Sequence, residues 1–377
     1  MAVYYALGDA LVTEAELYEK QLLGDMATFT KKVQGGSSDA FVEFSTGRLT
    51  AANLMTTLQL PSGETVPFEE VGPGKPLTIE IRHVYCGKYP DKTLIDSTKD
   101  MLVTSAMKSL ATFNEAPRAV NFLEKNVKKY HHVSDPAATN KGTPLVHYTP
   151  SLIENNTILT LEISFDEFPH EFFQSTTNIF NAAAGIPFFI SASGYLLAAG
   201  AITKLLGNLG NRLFDSSPKF KGTEPITFLR AGGKIPHADF RVITEEDFPK
   251  SILDKYKFFS QKDGLTDSTG NKYDGDLPYV IISLDGRAND QYKDFTPTAT
   301  SAVLLEKFFS IKEGQEQPLG PLLDALKLYN DWNYRKKADK ILTEIKALDQ
   351  ASEQYGLKKK DYDALIANIL DDLLKPK

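Results

Sequence analysis

The sequence has little of what a metal centre or a disulfide framework requires. Its 377 residues include one cysteine, Cys86, and six histidines. A single cysteine excludes an internal disulfide and a multi-thiolate metal site. No two histidines have the H-E-x-x-H spacing or another common zinc spacing. We therefore expect neither a dedicated metal centre nor a cofactor.

An excess of positive charge is also missing. Lysine and arginine number 42 against 49 aspartates and glutamates, which gives a net charge of −7. Nucleic-acid binding depends on a concentrated basic surface. The one local basic cluster has few aromatic neighbours; it comprises Lys125, Lys128, Lys129, His131 and His132. We therefore expect no nucleic-acid partner.

The common catalytic and nucleotide-binding motifs are absent. The sequence contains no G-x-x-x-x-G-K-[ST] loop, no G-x-G-x-x-G turn after a strand and no G-x-S-x-G elbow. A catalytic triad is nevertheless defined by geometry and not by residue order. A hydrolase that uses His147 or His237 with a neighbouring carboxylate is therefore a third-ranked hypothesis, and we assign no catalytic residue.

Targeting signals are not evident at either end. The N-terminus lacks the basic region of a secretory signal, and Asp9 interrupts its apolar run. The C-terminal residues LLKPK carry no lipidation motif. These features predict a cytoplasmic protein.

Apolar residues, by contrast, are plentiful, and two segments alternate with a period of two. Hydrophobic residues make up 42% of the chain and aromatic residues 11%, which is enough for a packed core. The alternation over Leu77–Tyr85 and Leu159–Phe165 is typical of half-buried antiparallel strands. We predict a β-rich α+β fold with an antiparallel β-sandwich-like core, a buried apolar helical segment and a C-terminal helical appendage.

Composition shifts and turn residues divide the chain into three regions. We expect an N-terminal helix within 1–38, a β-rich core over 39–313 and a helical region over 314–377. The core could be one unit or two sandwich-like halves, 39–168 and 169–313.

Three local predictions can be made within these regions. Thr13 and Glu16 fit a capping box at the start of a helix over Ala15–Val33. A second helix is expected near Ala119–Tyr130. Leu265–Tyr273 is typical of a hairpin, with Gly270 supplying a turn conformation of positive φ.

An uncharged segment between Glu171 and Lys204 stands out. Within the predicted insertion 172–214, six large apolar residues mark it; they are Ile186, Phe188, Phe189, Leu196, Leu197 and Ile202. An element that is apolar on all sides is usually buried in a core. The length and the small residues are also compatible with an oligomer interface or with a membrane-active segment.

The C-terminal region carries apolar residues at helical spacing. The stripe that we assign to a partner comprises Leu322, Leu326, Ile341, Ile345, Leu365 and Ile369. Such a stripe is typical of a helix that docks into the groove of another protein or of a second copy.

A run of acidic residues lies close to the predicted hairpin. Asp263, Asp267, Asp274 and Asp276 supply oxygen atoms of the kind that Ca²⁺ binds. Their spacing differs from that of the EF-hand loop, and aspartate is common in turns. We expect a solvated turn and retain a weak calcium site as the alternative.

These patterns favour a non-catalytic interaction protein. The predicted core and C-terminal helices would bind a protein partner or a second copy of the chain. The first alternative is a membrane-active effector, either pore-forming or membrane-binding, that uses residues 172–214. The hydrolase of unknown substrate is the second alternative.

Overall fold

Antiparallel strands make up most of the described chain. The computed structural model describes residues 2–7, 10–16, 29–32, 41–44, 57–59, 65–67, 69, 71–90, 98–108, 117–134, 141–182, 185–191, 194–196, 202–203, 218–228, 239–260, 264–296, 298–300, 302 and 320–376. These ranges contain two large antiparallel sheets together with helices, so the protein has a sheet-based α+β fold.

The described strands range from two to eleven residues in length. In chain order they are β1 (Ala2–Leu7), β2 (Ala10–Thr13), β3 (Phe29–Lys32), β4 (Phe41–Phe44), β5 (Thr57–Gln59), β6 (Thr65–Pro67), β7 (Leu77–Tyr85), β8 (Lys99–Lys108), β9 (Arg118–Val127), β10 (His132–Ser134), β11 (Leu145–Thr149), β12 (Asn156–Asp166), β13 (Phe188–Ser191), β14 (Gly194–Leu196), β15 (Ile202–Thr203), β16 (Phe220–Thr227), β17 (Asp239–Thr244), β18 (Lys257–Ser260), β19 (Gly264–Thr266) and β20 (Tyr279–Asp285). The helices are α1 (His170–Ala182), α2 (Lys250–Lys255), α3 (Gly320–Ile345) and α4 (Glu353–Ala367), with a 3-10 turn at Asp290–Tyr292.

Each large sheet has seven strands. Sheet 1 has the order β10-β7-β20-β17-β1-β2, and β11 also pairs with β7. Sheet 2 has the order β15-β14-β13-β9-β8-β12-β16. The pairs β3-β4, β5-β6 and β18-β19 form separate two-stranded ribbons.

One buried apolar cluster contains side chains from both sheets. Ile79 of β7 and Ile282 of β20 come from sheet 1, and Leu159 and Leu161 of β12 come from sheet 2. All four are at most 1% exposed. The period-two pattern of β7 and β12 therefore corresponds to real strands whose apolar residues enter a shared core.

A bulge in β7 changes which residues face that core. Ile282 of β20 pairs with Ile81, whereas the adjacent Ile281 pairs with His83, so Arg82 is an extra residue in β7. A bulge of this kind reverses the alternation beyond it. Val84 then enters the core cluster that contains Ile81, while Tyr85 belongs to a second cluster. The prediction that Leu77–Tyr85 keeps one apolar face holds only up to Ile81.

The predicted N-terminal helix must be corrected. Residues 2–7 and 10–13 are strands β1 and β2, and Phe29–Lys32 is strand β3, so the helix does not reach Val33. Its predicted start is present, because the Thr13 N–H donates to the Glu16 carboxylate at 2.8 Å and the Glu16 N–H donates to Thr13 Oγ1 at 3.3 Å. Residues 17–28 lie outside the described chain.

Of the other two local predictions, one is wrong and one is confirmed. Ala119–Tyr130 is not helical, because Arg118–Val127 is strand β9, which pairs with β8 on one side and β13 on the other. The hairpin at Leu265–Tyr273 is present: Thr266 pairs with Lys272, and Gly270 has a φ of 85°.

Among its described residues, the uncharged segment is helical only in its first part, where α1 buries Phe172 and Phe180. Helix α1 ends at Ala182, and the apolar run that follows contributes strands β13, β14 and β15 to sheet 2 and no described helix. Phenylalanine and isoleucine, such as Phe188, Phe189 and Ile190 of β13, favour strands. In the parts of the chain that the structure describes, no helix is long and apolar enough to cross a membrane.

Candidate interaction surface

Helices α3 and α4 fold back on each other to form a hairpin with its own small core. Tyr334 and Ala338 of α3 pack with Leu365 and Ile369 from the second half of the hairpin, and none of the four is more than 5% exposed. The Ser352 hydroxyl accepts the Tyr355 N–H, one of the free N–H groups in the first turn of α4, and so fixes where that helix begins.

A buried asparagine attaches this hairpin to the sheets. Asn368, at the end of α4, donates to the Ser151 carbonyl at 2.7 Å and to the Ala364 carbonyl at 2.8 Å. Its amide oxygen accepts from the Thr149 hydroxyl at 3.0 Å. Ile153 adds an apolar contact to the hairpin core. The strand β11 and the loop after it therefore hold the hairpin in place.

We expect Asn368→Ala to loosen the hairpin without unfolding the sheets. The substitution removes the hydrogen bonds that Asn368 makes with the Thr149 hydroxyl and the Ser151 carbonyl, which also bond to each other. Each lost hydrogen bond of this kind costs about 1 kcal/mol. Hydrogen exchange should accelerate for the amides of α4 but not for those of β7 and β12. Gln354→Ala, which removes an exposed amide from the same helix, is the control. Equal protection in Asn368→Ala and in this control would contradict the assignment.

Opposite the hairpin core, α3 exposes a group of large apolar side chains. Leu328 is 51% exposed, and Tyr329 and Trp332 are each 48% exposed. The rings of Tyr329 and Trp332 stack with their centroids 6.2 Å apart. Leu373, in the tail after α4, is 91% exposed. We call these four residues the Trp332 surface.

Three hydrogen bonds, made by the side chains of Asp331 and Arg335, hold the tail that carries Leu373 against α3. The carboxylate of Asp331, which is 3% exposed, accepts the backbone N–H groups of Leu370 at 3.1 Å and Asp371 at 2.8 Å. Arg335 donates to the Leu374 carbonyl at 3.0 Å. Leu373 therefore lies at the same end of the hairpin as Trp332.

The charges beside Trp332 are unbalanced. Arg335 pairs with Asp339 at 2.8 Å, and Glu344 pairs with Lys358. Lys336 instead lies over the Trp332 ring, with its Nζ 5.1 Å from the centroid. Within the described residues, no carboxylate forms an ion pair with Lys336. The Trp332 surface thus combines exposed aromatic rings with positive charge.

Comparison with known proteins adds no assignment. No protein family, no curated protein and no solved structure matches the chain. The function must therefore be argued from the residues of the chain itself.

Part of the apolar stripe that the sequence analysis assigned to a partner lies in the core of the hairpin. Ile345, Leu365 and Ile369 are between 1% and 6% exposed, and Ile341 packs partly against the hairpin core. Leu322 and Leu326 fall in the part of α3 whose side chains lie outside the described residues. The described residues of the stripe therefore lie in or against the hairpin core, and their assignment to a partner stays a prediction; the sequence pattern did not indicate Trp332. The one available signal was a lone tryptophan in the polar stretch of 330–337.

The described carboxylates among the proposed calcium ligands accept hydrogen bonds from other groups of the protein. Asp267 accepts the N–H groups of Thr269 and Asn271, each at 2.9 Å. These hydrogen bonds, led by that of the Thr269 hydroxyl, lower the pKa of Asp267 to about 2. Asp276 accepts from a tyrosine hydroxyl, and so does Asp274. Asp263 lies outside the described residues, and the described part of the chain contains no cluster of three metal-ligating side chains.

Of the two histidines of the hydrolase hypothesis, only His147 lies within the described residues. His147 packs edge-on against Phe295, and burial lowers its pKa to about 3. It lines a cavity of about 10 Å³ together with Ser105, which is room for one water molecule. His237 lies outside the described residues. Cys86 is buried with its Sγ 3.3 Å from Met101 Sδ, and burial raises its pKa.

Most of the apolar residues that mark the uncharged segment lie in strands. Ile186, Phe188 and Phe189 are at most 2% exposed. Leu196 and Ile202 belong to β14 and β15, and Leu197 lies outside the described residues. Inserting Phe188 into a membrane would require its removal from β13, which pairs with β9 in sheet 2.

Proposed function

We propose that the protein is a non-catalytic interaction protein that binds a protein partner on the Trp332 surface. The observation that carries this proposal is the exposure of Leu328, Tyr329 and Trp332 on one helix of a hydrogen-bonded hairpin. Large exposed apolar patches are unusual on a soluble chain and mark interaction sites. Tryptophan and tyrosine are also the residues most enriched among those that dominate binding energy.

The sheets would act as a rigid support for this surface. We propose that sheets 1 and 2 pack face to face as a β-sandwich, because Ile79 and Ile282 share a core cluster with Leu159 and Leu161. The hydrogen bonds of Asn368 would then fix the hairpin to a body that does not change shape on binding. A preorganised surface loses less entropy when it binds. The sequence features favour a cytoplasmic location, which we retain in the proposal.

The proposal can be tested with a displayed library of random short peptides. Binders are selected on the full-length wild-type chain, after removal of peptides that also bind Trp332→Ala. We expect peptides whose affinity falls about tenfold or more in Trp332→Ala, as is typical of a central aromatic anchor. The fluorescence of Trp332, the single tryptophan of the chain, should shift to shorter wavelength on binding.

The matched control is Leu357→Ala. Leu357 is 58% exposed on α4 but lies near the opposite end of the hairpin, where the adjacent Lys358 pairs with Glu344. Affinities should be unchanged in this variant. If no peptide depends on Trp332, or if Leu357→Ala is equally damaging, the proposed function is wrong.

A further inference from the structure

The charges around the Trp332 surface indicate what kind of partner would bind there. This inference rests on the proposed function. We propose that the partner is a protein segment with acidic residues placed beside the apolar residues that cover Trp332. Recognition would then combine burial of the tryptophan and tyrosine rings with ion pairs to Lys336 and Lys340.

The charges of α3 favour an acidic partner. Its described acidic residues are used within the hairpin: Asp331 holds the tail, Asp339 pairs with Arg335, and Glu344 pairs with Lys358. Lys336 and Lys340 are exposed, and neither forms an ion pair at hydrogen-bond distance within the described hairpin. Lys340 acts on Glu344 over a longer distance and helps Lys358 to lower the pKa of that carboxyl. The excess charge of α3 next to Trp332 is therefore positive, while the tail beside Leu373 carries Asp371 and Asp372, of which Asp372 pairs with Lys375.

The spacing of residues along α3 favours the same partner. Leu328, Trp332, Lys336 and Lys340 are spaced four residues apart, so they form one ridge along the helix surface. Apolar side chains occupy its first half and cations its second half. A bound segment that covers Trp332 would place its next turn beside Lys336. A carboxylate there would gain an ion pair that is partly shielded from water.

A second copy of the chain fits this surface less well. In a symmetric dimer the same patch meets itself. Lys336 and Lys340 of one copy would then lie close to those of the other, and like charges across an interface cost binding energy. A symmetric dimer through the Trp332 surface is accordingly disfavoured.

An anionic membrane is also a weaker candidate. A bound short peptide interacts electrostatically mainly with charges that lie within one Debye length of its site, which is about 8 Å at physiological salt. A membrane is flat and meets a much wider area of a chain whose net charge is −7. The wider repulsion therefore opposes a membrane more than it opposes a peptide.

The test compares peptide selections on two forms of the full chain. One is wild type, and the other is the double variant Lys336→Glu, Lys340→Glu. We expect Trp332-dependent binders of the wild type to be enriched in aspartate and glutamate relative to the unselected library. Binders of the double variant should be enriched in lysine and arginine. Wild-type binders should lose about tenfold or more in affinity for the double variant at low salt, and less at high salt.

The results of these selections distinguish failure of the acidic partner from failure of the proposed function. Trp332-dependent peptides with no charge bias on either form would overturn the acidic partner and leave the docking function standing. An absence of Trp332-dependent peptides would overturn both. Phosphatidylcholine–phosphatidylserine vesicles provide the third arm, and Trp332-dependent binding to vesicles but not to peptides would identify a membrane as the occupant. Concentration-dependent dimerisation that Trp332→Ala abolishes would identify a second copy. An unchanged melting temperature in the double variant excludes misfolding as the cause of lost binding.

Discussion

Replacing Arg241 with methionine is expected to lower the free energy of unfolding by about 3–5 kcal/mol. Arg241 lies in β17 and is 6% exposed. Its guanidinium donates to Asp239 at 2.9 Å and to Glu224 at 3.0 Å. Asp239 and Glu224 are 1% and 5% exposed. Methionine has a similar length but no charge, so two buried carboxylates would lose their shared cation.

The position of this cluster explains the size of the effect. Asp239 and Arg241 belong to β17 of sheet 1, whereas Glu224 belongs to β16 of sheet 2, so Arg241 links the two sheets. The Tyr5 ring lies 4.8 Å from the guanidinium carbon and adds a cation–π contact. Burial on its own lowers the pKa of Arg241, but Asp239, Tyr5 and Glu224 outweigh burial and raise it. The arginine is therefore charged at every pH at which the protein is folded.

Urea unfolding measures this prediction with two independent signals. Circular dichroism follows the sheets, and Trp332 fluorescence follows the C-terminal hairpin, so coincident transitions would indicate cooperative unfolding. The control is the triple variant Arg241→Met, Asp239→Leu, Glu224→Leu. Replacing all charges of a buried cluster with apolar groups is often neutral or stabilising. The triple variant should recover most of the lost stability. A loss below about 1 kcal/mol in Arg241→Met would contradict a buried, coupled cluster.

The sequence predicts strands well where the alternation is regular. β12 is the clearest case, because residues Leu159, Leu161 and Ile163 all enter one core. β7 departs from this only after Arg82, where its register with β20 shifts. Register depends on the partner strand, which a local pattern does not contain. The inward position of Val84 could therefore not be predicted from β7 alone.

The error at Ala119–Tyr130 has the same cause. Val120 and Leu123 are three residues apart, and they face the same side, as they would in a helix. In the structure they share a cluster because Asn121 is an extra residue opposite β8: Thr104 pairs with Val120, and Val103 pairs with Phe122. The Asn121 side chain, 0% exposed, donates to the Leu145 carbonyl at 2.8 Å. A bulge held by a side chain can thus imitate helical spacing.

The exposure of Trp332 could not be predicted from the sequence for a different reason. When two helices form a hairpin, their apolar stripes are buried against each other, as Leu365 and Ile369 are here. The large apolar residues that stay exposed are those outside the stripe. Trp332 could be recognised as one of them only after the packing of Tyr334 and Ala338 was known.

Acid is expected to destabilise the protein through His147. Burial lowers the pKa of this side chain to about 3, below the usual value near 6.5 for an unfolded chain. Between these two values the unfolded chain binds a proton that the folded protein does not, so stability falls as the pH falls. The contribution is complete above about pH 6.5 and is lost progressively towards pH 3. It amounts to about 5 kcal/mol.

The surroundings of His147 explain why no neighbour offsets this effect. Its cavity is lined mainly by apolar groups, with Phe295 against the ring and Ser105 as an uncharged neighbour. His132 should act in the same direction, because burial and then Lys272 lower its pKa to about 4. Some acid sensitivity should therefore persist when His147 is replaced.

Unfolding free energies measured by urea between about pH 7 and pH 4 test the assignment. His147→Gln removes the titrating group, so its stability should depend less steeply on pH than that of the wild type, whatever its stability at pH 7. The slope separates ionisation from packing, because lost packing shifts the whole curve without changing its steepness. His170→Gln, at an exposed position, controls for removing a histidine as such. Parallel curves for wild type and His147→Gln would show that His147 is not held neutral by burial, and the interior at this end of the sheets would then have to admit water.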